Sequence, residues 1–208
     1  AEMQRVTVYI DGFNLYYGLQ DKKWQRYLWL DVRRLSENLL HPGQSLVTVR
    51  YFTAKVLPDP NRPNRQRQQE IFLEALGMLP DVSIHLGYYL RKKKHCPKCG
   101  NEIWIYEEKM TDVNIAAELL GDAQDNVFDT AIIVSADSDL AGPVTTVLKR
   151  YPNKRMILAF PPKRVSKLLR QVATANFTIG RKKFADSQLP NRVTKPDGYV
   201  LSRPFGWS

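Results

Sequence analysis

Four aspartates and one asparagine have the residue types and positions of a metal site. Each aspartate follows a predicted strand or lies in the first turn of a predicted helix; the residues are Asp11, Asn14, Asp112, Asp137 and Asp139. At a separation of about 4 Å and an effective dielectric of about 20, two carboxylates repel each other by about 4 kcal/mol. A divalent cation removes that repulsion. Because carboxylates are hard oxygen donors and no His or Cys stands among them, the pattern favours Mg²⁺ or Mn²⁺ over zinc.

A metal held in this way acts on phosphates. It polarises a phosphoryl oxygen, activates a water molecule as the nucleophile and stabilises the leaving oxygen. Each residue alone also has a structural interpretation: Asp139 as a helix N-cap, Asp11 as a turn former before Gly12, Asn14 as a cap, and Asp112 as a charge that favours a helix N-terminus. The metal site is therefore indicated by the whole set and not by any one member.

Short apolar runs alternate with segments of helical period, which predicts an α/β domain with a mainly parallel sheet. Strands are predicted at residues 5–11, 46–56, 82–90, 128–136 and 155–160, with an edge strand at 177–179. Helices are predicted at about 31–40, 65–79, from 111 onward, at 140–151 and at 163–173, and a loop should begin at Gly12. In such sheets ligands bind beyond the carboxyl ends of the strands, where the acidic residues stand.

Two segments depart from this alternation. Residues 91–107 are predicted to form an inserted β-hairpin, and periodicity disappears from residue 182 onward. The predicted organisation is one domain over residues 1–181 and a C-terminal extended tail over 182–208, which either packs as an arm or is mobile.

Composition narrows the function classes. The chain has 208 residues, a formal net charge of +10, 43% hydrophobic and 25% charged residues, which excludes disordered and fibrous architectures. No apolar run approaches the roughly 18 residues of a membrane span and no signal-peptide core follows the first residues, so a cytoplasmic location without membrane contact is expected. The positive charge indicates either a solvated basic surface or a polyanion partner such as nucleic acid.

Three sequence blocks carry a family resemblance. They are VYIDGFN at residues 8–14, EKMTDVNIA at 108–116 and DTAIIVSADSDL at 129–140. In order and spacing they resemble the NYN domain family, a branch of the PIN-like nucleases, in its LabA-like form, over about residues 5–180. Ala136 stands where a glycine is common.

The resemblance implies a PIN-like three-layer α/β/α fold with a central mainly parallel sheet and a metal-dependent ribonuclease activity. Carried over residue by residue, it places metal-binding carboxylates at Asp11, Asp112 and Asp137, with Asp139 as the fourth acid and Asn14 as a polar neighbour. All five are predicted catalytic residues.

RNA contacts are predicted on both sides of the acidic residues. Lys109, Ser135 and Ser138 lie within the matched blocks, and a basic set that is expected to open a helix at the same sheet edge contains Lys163, Arg164 and Lys167. A helix N-terminus there would favour a phosphate. Aromatic residues just after the first acidic strand end could stack unpaired bases or could pack in the core; they are Phe13, Tyr16, Tyr17 and Trp24.

The only two cysteines, Cys96 and Cys99, have the spacing of a zinc knuckle. Structural zinc needs four ligands, so a site would require His95 as a third ligand or two copies of the chain across a two-fold axis, which makes a homodimer a candidate state. The alternative is a pair of free thiols on a hairpin. Either interpretation agrees with a reducing compartment.

Three functions follow as hypotheses. The first is an endoribonuclease that uses Mg²⁺ or Mn²⁺ to direct water at a phosphodiester of single-stranded or structured RNA. The second is a non-catalytic RNA-binding or interaction module that retains the acidic pocket. The third is hydrolysis of a nucleotide or another small phosphate.

Overall fold

Seven strands form one sheet in the computed structural model, which describes residues 3–207. The strands are β1 Gln4–Asp11, β2 Gln44–Ala54, β3 Val82–His95, β4 Glu102–Lys109, β5 Thr130–Val134, β6 Arg155–Phe160 and β7 Ala175–Thr178. Their order in the sheet is β4-β3-β2-β1-β5-β6-β7, and all neighbours are parallel except β3 and β4. Ala1, Glu2 and Ser208, which belong to the predicted domain and tail, lie outside the described residues.

Helices cover both faces of the sheet. They are α1 Gly12–Asp21, α2 Val32–Leu39, α3 Arg65–Leu76, α4 Thr111–Gln124, α5 Ala141–Arg150, α6 Lys167–Val172 and α7 Arg181–Ala185. Val8 and Ile10 of β1 pack in the cluster that includes α1 to α3 and α7, whereas Tyr9 packs in the cluster of α4 to α6. Since successive side chains of a strand point to opposite faces, β1 is buried on both sides from Val6 onward. The predicted three-layer α/β/α fold is confirmed.

Helix α1 begins at Gly12 without the loop that was predicted there. The Asp11 side chain caps the helix by accepting a hydrogen bond from the Asn14 N–H at 3.0 Å. A Cβ on Gly12 would lie 2.7 Å from the Tyr51 ring and 2.8 Å from the Phe52 carbonyl oxygen. Only glycine therefore allows the chain to turn into the helix directly against β2.

Helix α6 is shorter than predicted, because Ser166 and not a residue near 163 is its N-cap. The Ser166 side chain accepts from the Leu169 N–H at 3.2 Å. Lys163 and Arg164 thus lie in the loop before the helix, and the prediction that they open it was wrong.

The C-terminal segment, which was predicted either to pack as an extended arm or to be mobile, is packed and contains regular elements. It contains α7 and an antiparallel pair, β8 Arg192–Thr194 and β9 Val200–Ser202. Phe184, Leu201 and Trp207 are buried in the same cluster as α1 to α3, and the Trp29 indole donates to the Pro190 carbonyl at 2.7 Å. Apolar side chains that follow neither helical nor strand spacing pack this segment against the core. No helix within residues 3–207 is long and apolar enough to cross a membrane.

The inserted hairpin consists of the outer half of β3 and all of β4. Strand β3 pairs with β2 as far as Gly87 and with β4 from Tyr88 onward. A Cβ on Gly87 would lie 2.4 Å from the Lys109 carbonyl oxygen and 3.1 Å from a carboxylate oxygen of Glu108. Gly87 is therefore the point where the strand changes partners, close to the start of α4.

Candidate metal centre

The acidic residues meet at the carboxyl ends of two neighbouring parallel strands, β1 and β5. The chain continues from β1 to β2 through helices on one face of the sheet and from β5 to β6 through a helix on the other face, so a crevice opens between the two strand ends. Open α/β sheets bind ligands in such crevices. The crevice is lined by Asp11, Phe13, Asn14, Tyr17, Glu108, Thr111, Asp112, Asp137 and Arg164, and we call it the acidic cleft.

Two carboxylates of the cleft converge with that of Asp139 beside it, closely enough to share an ion. One oxygen each of Asp112, Asp137 and Asp139 lies within 4.8 Å of the others. Asp112 stands in the first turn of α4, and Asp137 accepts from the Asp139 N–H at 3.0 Å. Asp137, rather than Asp139, is therefore the cap of the short 3-10 helix that follows β5. Asp139 remains exposed, with its carboxylate directed to the group.

Asp11 stands behind this group and is buried, with 5% of its surface exposed. One carboxylate oxygen accepts from the Asn14 N–H, and the other accepts from the Ser135 hydroxyl at 2.8 Å. The Ser135 Oγ in turn accepts from the Asp137 N–H at 3.0 Å. Since Ser135 is fully buried, it cannot present its hydroxyl to RNA as predicted; it links two acidic residues.

Asn14 also positions the site. Its side-chain oxygen accepts from the Ala136 N–H at 3.1 Å. The bond joins the first turn of α1 to the loop after β5, which carries Asp137. Asn14 thus fixes the two strand ends relative to each other.

The cluster is electrostatically strained without a cation. Burial, together with the neighbouring charges of Asp137 and Asp11, raises the pKa of Asp112 to about 7. Burial also raises the pKa of Asp11 to about 6, against the hydrogen bonds from Asn14 and Ser135. A divalent cation would favour the ionised forms of all these groups. The donors are carboxylate oxygens, which fit a hard ion such as Mg²⁺ or Mn²⁺.

Glu108 is an acidic member of the cleft that the sequence analysis did not assign. Its carboxylate accepts from the Thr111 N–H at 3.1 Å and from the Thr111 hydroxyl. It thereby holds the start of α4, where Met110 has a left-handed φ of 79°. Its position four residues before Asp112 predicts a place in the cleft only when the register of β4 is known.

The predicted RNA contacts are divided between the cleft and its surroundings. Arg164 lines the cleft, with its guanidinium 2.7 Å from Asp21, and Ser138 is exposed between the acidic residues. Lys109 instead pairs with Glu107 at 2.8 Å, on the other side of β4 from Glu108. The two remaining lysines, Lys163 and Lys167, are exposed and do not line the cleft.

Aromatic side chains form one wall of the cleft. Phe13 and Tyr17 line it with ring centroids 6.4 Å apart, and Tyr89 of β3 contacts Phe13 edge to face at 6.2 Å. Arg65 donates to the Tyr17 hydroxyl at 2.8 Å. Two other aromatics lie away from the wall: Tyr16 faces an apolar cavity, and Trp24 packs against Phe184.

The two cysteines lie at the tip of the hairpin, far along β3 from the acidic residues. Cys96 is half-buried and Cys99 is exposed. The Gly100 N–H donates to the Cys96 carbonyl at 2.8 Å, and the Cys96 N–H donates to the Asn101 carbonyl at 2.9 Å. Backbone N–H groups of Lys98 and Cys99 lower the pKa of the Cys96 thiol.

Fold and site together define a class: α/β domains with an acidic, metal-compatible cleft at the switch point of a parallel sheet. The chain belongs to the NYN domain family, which matches residues 5–180. The suspected resemblance is thereby confirmed. The NYN domain is part of the PIN-like nuclease superfamily, and the acidic cluster agrees with that placement.

Two individual proteins are similar to this chain. The 6-hydroxy-3-succinoylpyridine 3-monooxygenase HspA of Pseudomonas putida is 31% identical over 193 residues, which cover 77% of this chain and 61% of that protein. The chain thus spans less than two thirds of the length of this relative. The crystal structure of a Vibrio parahaemolyticus protein of unknown function has a TM-score of 0.57 and 21% identity, covering 90% of this chain and 98% of the other. That likeness supports the fold.

Proposed function

We propose that the protein is an endoribonuclease that uses Mg²⁺ or Mn²⁺ to hydrolyse phosphodiesters of single-stranded or structured RNA. The observation that carries this proposal is the convergence of Asp112, Asp137 and Asp139. Within residues 3–207, no ion pair joins a Lys, Arg or His to any of them. A cluster of carboxylates without a neutralising partner is suited to a divalent ion, and divalent ions in such sites serve phosphoryl chemistry.

The converging carboxylates would hold the ion, which supplies a polarised phosphate and an activated water when bound. Asp11 adds negative charge from behind, and its hydrogen bonds with Asn14 and Ser135 keep the strand ends in place. Arg164 at the rim is the cationic group that can meet a substrate phosphate. Phe13 and Tyr17 can stack on a base beside the scissile bond.

RNA as the partner is supported by the division of charge. The chain carries a net charge of +10, although the cleft itself is negative, so a basic exterior surrounds an acidic centre. Such a surface attracts a polyanion, while the centre requires a cation before it can accept a phosphate. A non-catalytic RNA-binding module would share these features, and turnover separates the two functions.

The name of the Pseudomonas relative indicates oxygenation of a pyridine, a second chemistry to be considered for this chain. The donor set of the cleft favours hydrolysis. Non-haem iron oxygenases use two histidines and one carboxylate, whereas none of His41, His85 and His95 lines the acidic cleft. Activity of the relative belongs to a longer protein, of which this chain spans 61%.

The proposal is tested with labelled single-stranded and hairpin RNAs, incubated with Mg²⁺, with Mn²⁺ and with chelator. We expect cleavage only with metal. Asp137→Asn should lower the rate by at least about 100-fold, because metal stabilisation of the transition state contributes several kcal/mol. Asp125→Asn is the matched control, since Asp125 is exposed at the far end of α4. RNA binding that survives chelation without any cleavage would instead identify a binding module, and mononucleotide hydrolysis in place of RNA cleavage would identify the third function.

For the hairpin tip we propose a zinc site shared by two copies of the chain. Cys96 and Cys99 would supply two thiolates from each copy, and the lowered pKa of Cys96 favours the thiolate that zinc needs. A homodimer and a cytoplasmic location remain predictions from the sequence.

A further inference from the structure

The hairpin has two faces of different character. In the antiparallel register Tyr89 lies opposite Glu108, Arg91 opposite Tyr106 and Lys93 opposite Trp104. Since side chains alternate along a strand and paired residues share a face, these residues stand on one side of the hairpin. We call Tyr89, Arg91, Lys93, Trp104 and Tyr106 the stacking face.

The aromatic rings on this face are exposed to solvent, and cationic side chains lie close to them. Trp104 and Tyr106 expose 48% and 51% of their surfaces. The Arg91 guanidinium lies 3.8 Å from the centroid of the Trp104 ring and 6.0 Å from that of Tyr106. Lys93 Nζ lies 5.2 Å from the Trp104 ring. A cluster of large exposed aromatics on one face of a hairpin is typical of an interaction site.

The stacking face is continuous with the acidic cleft. Tyr89 contacts Phe13, and Phe13 stacks with Tyr17, both of which line the cleft. From Tyr89 to the end of β3 the strand extends a further six residues, which is about 20 Å at 3.4 Å per residue. An aromatic path thus runs from the acidic carboxylates to the hairpin tip.

The ion pairs of the hairpin differ between its two faces. On the opposite face one carboxylate, Glu107, pairs with both Lys92 and Lys109 at 2.8 Å. On the stacking face Lys93 pairs with Glu102 near the tip. Arg91 forms no ion pair within residues 3–207, and its charge is available to a phosphate above the Trp104 ring.

We propose that the stacking face binds the unpaired bases of a single-stranded RNA segment whose adjoining phosphate enters the acidic cleft. This proposal rests on the proposed function, which places the scissile phosphate of the RNA in the acidic cleft. It adds a surface that selects unpaired RNA over paired RNA. Trp104 and Tyr106 stack on bases, and Arg91 contacts the backbone, which is the combination that single-strand binding proteins use. A duplex hides its base faces and should bind weakly here.

The test measures binding with chelator present, so that cleavage plays no part. Fluorescence anisotropy of a labelled single-stranded RNA should show a dissociation constant about 5- to 100-fold higher for Trp104→Ala than for the unchanged protein. Ile103→Ala is the matched control, because Ile103 is 46% exposed on the opposite face, and it should leave affinity unchanged. Quenching of tryptophan fluorescence by the RNA should be lost in Trp104→Ala.

The outcomes distinguish this proposal from the proposed function. Equal affinities for Trp104→Ala and Ile103→Ala would overturn the stacking face, whether or not the protein cleaves RNA. Loss of binding in Trp104→Ala with no cleavage under any metal would support the face and overturn the nuclease. Quenching by an acidic peptide but not by RNA would overturn the face as an RNA site, as would equal affinity for duplex and single strand.

Discussion

Asp11 and Asp122 are carboxylates of nearly equal burial in opposite electrostatic settings. Their exposed fractions are 5% and 6%. Asp122 accepts from the Tyr9 hydroxyl and from two nitrogens of the Arg50 guanidinium, each at 2.6 Å. Asp11 accepts only from neutral donors, and its charged neighbours are other acidic residues.

Burial alone therefore does not identify a functional carboxylate in this protein. Around Asp122 a cation neutralises the charge, as in a structural ion pair, and Glu118 adds a second contact to Arg50 at 3.2 Å. Around Asp11 no residue within 3–207 forms an ion pair that would compensate the charge. The protein keeps that cluster although repulsion opposes folding, as expected if the proposed cation occupies it.

The largest expected effect is on catalysis by Asp11→Asn. We expect a loss of RNA cleavage of at least about 100-fold, because one negative charge behind the metal is removed. Without metal the same variant should melt at a higher temperature than the unchanged protein at pH 8, since the repulsion with Asp137 is relieved. Undiminished cleavage, or a melting temperature well below that of the unchanged protein, would contradict the contrast between Asp11 and Asp122.

Arg50→Ala should produce the opposite pattern. It leaves Asp122 buried without its cation, which costs about 3 kcal/mol in the free energy of unfolding, measured by urea denaturation. The control is Arg33→Ala, which removes partly exposed pairs with Glu37 and Asp81 and should cost at most about 1 kcal/mol. Activity per folded molecule should be retained in both variants, and a selective loss of cleavage in Arg50→Ala would show that the two clusters are coupled.

The stability of the metal-free protein should fall as pH rises from about 4 to about 7. The folded-state pKa values of Asp11 and Asp112 are raised to about 6 and about 7, so the folded state holds protons that the unfolded state has released, and each deprotonation penalises folding. Mn²⁺ should therefore raise the melting temperature more at pH 8 than at pH 5. An equal shift at both values would mean that the ion does not bind these carboxylates.

The smallest effect on activity is expected from Cys96→Ser. It should abolish zinc content, expected at one ion per two chains, and convert a zinc-linked dimer to monomer in analytical ultracentrifugation. Cleavage should change little, because the hairpin tip is remote from the acidic cleft. A zinc-free, monomeric unchanged protein would leave the two cysteines as free thiols.

The acidic strand ends could be predicted because β1 and β5 are mostly apolar runs, and parallel strands place their carboxyl ends at one edge. Glu108 could not be assigned in the same way. Its position in the cleft depends on the pairing of β3 with β4, which local periodicity does not encode. The burial of Ser135 also follows from packing, since the chain offers no pattern that separates a buried hydroxyl from an exposed one.

Two features outside the site, the start of α6 and the packing of the C-terminal segment, also could not be predicted from local sequence pattern. Lys163 was placed in a helix because its apolar neighbours have helical spacing, but the cap at Ser166 delays the helix. Residues beyond 182 contain few apolar side chains, and those at Phe184 and Trp207 pack individually. Single anchors of this kind leave no periodic signal, so the segment could only be recognised from its tertiary contacts.

The change of strand partner at Gly87 has a consequence for how this protein can diversify. The pairing of Tyr88 with Lys109 fixes the base of the hairpin beside the acidic cleft, while the tip lies in solvent. Adding cross-strand residue pairs at the tip would lengthen the hairpin without shifting Glu108. A change in hairpin length therefore alters the reach of the proposed stacking face and leaves the acidic carboxylates at the sheet edge in place.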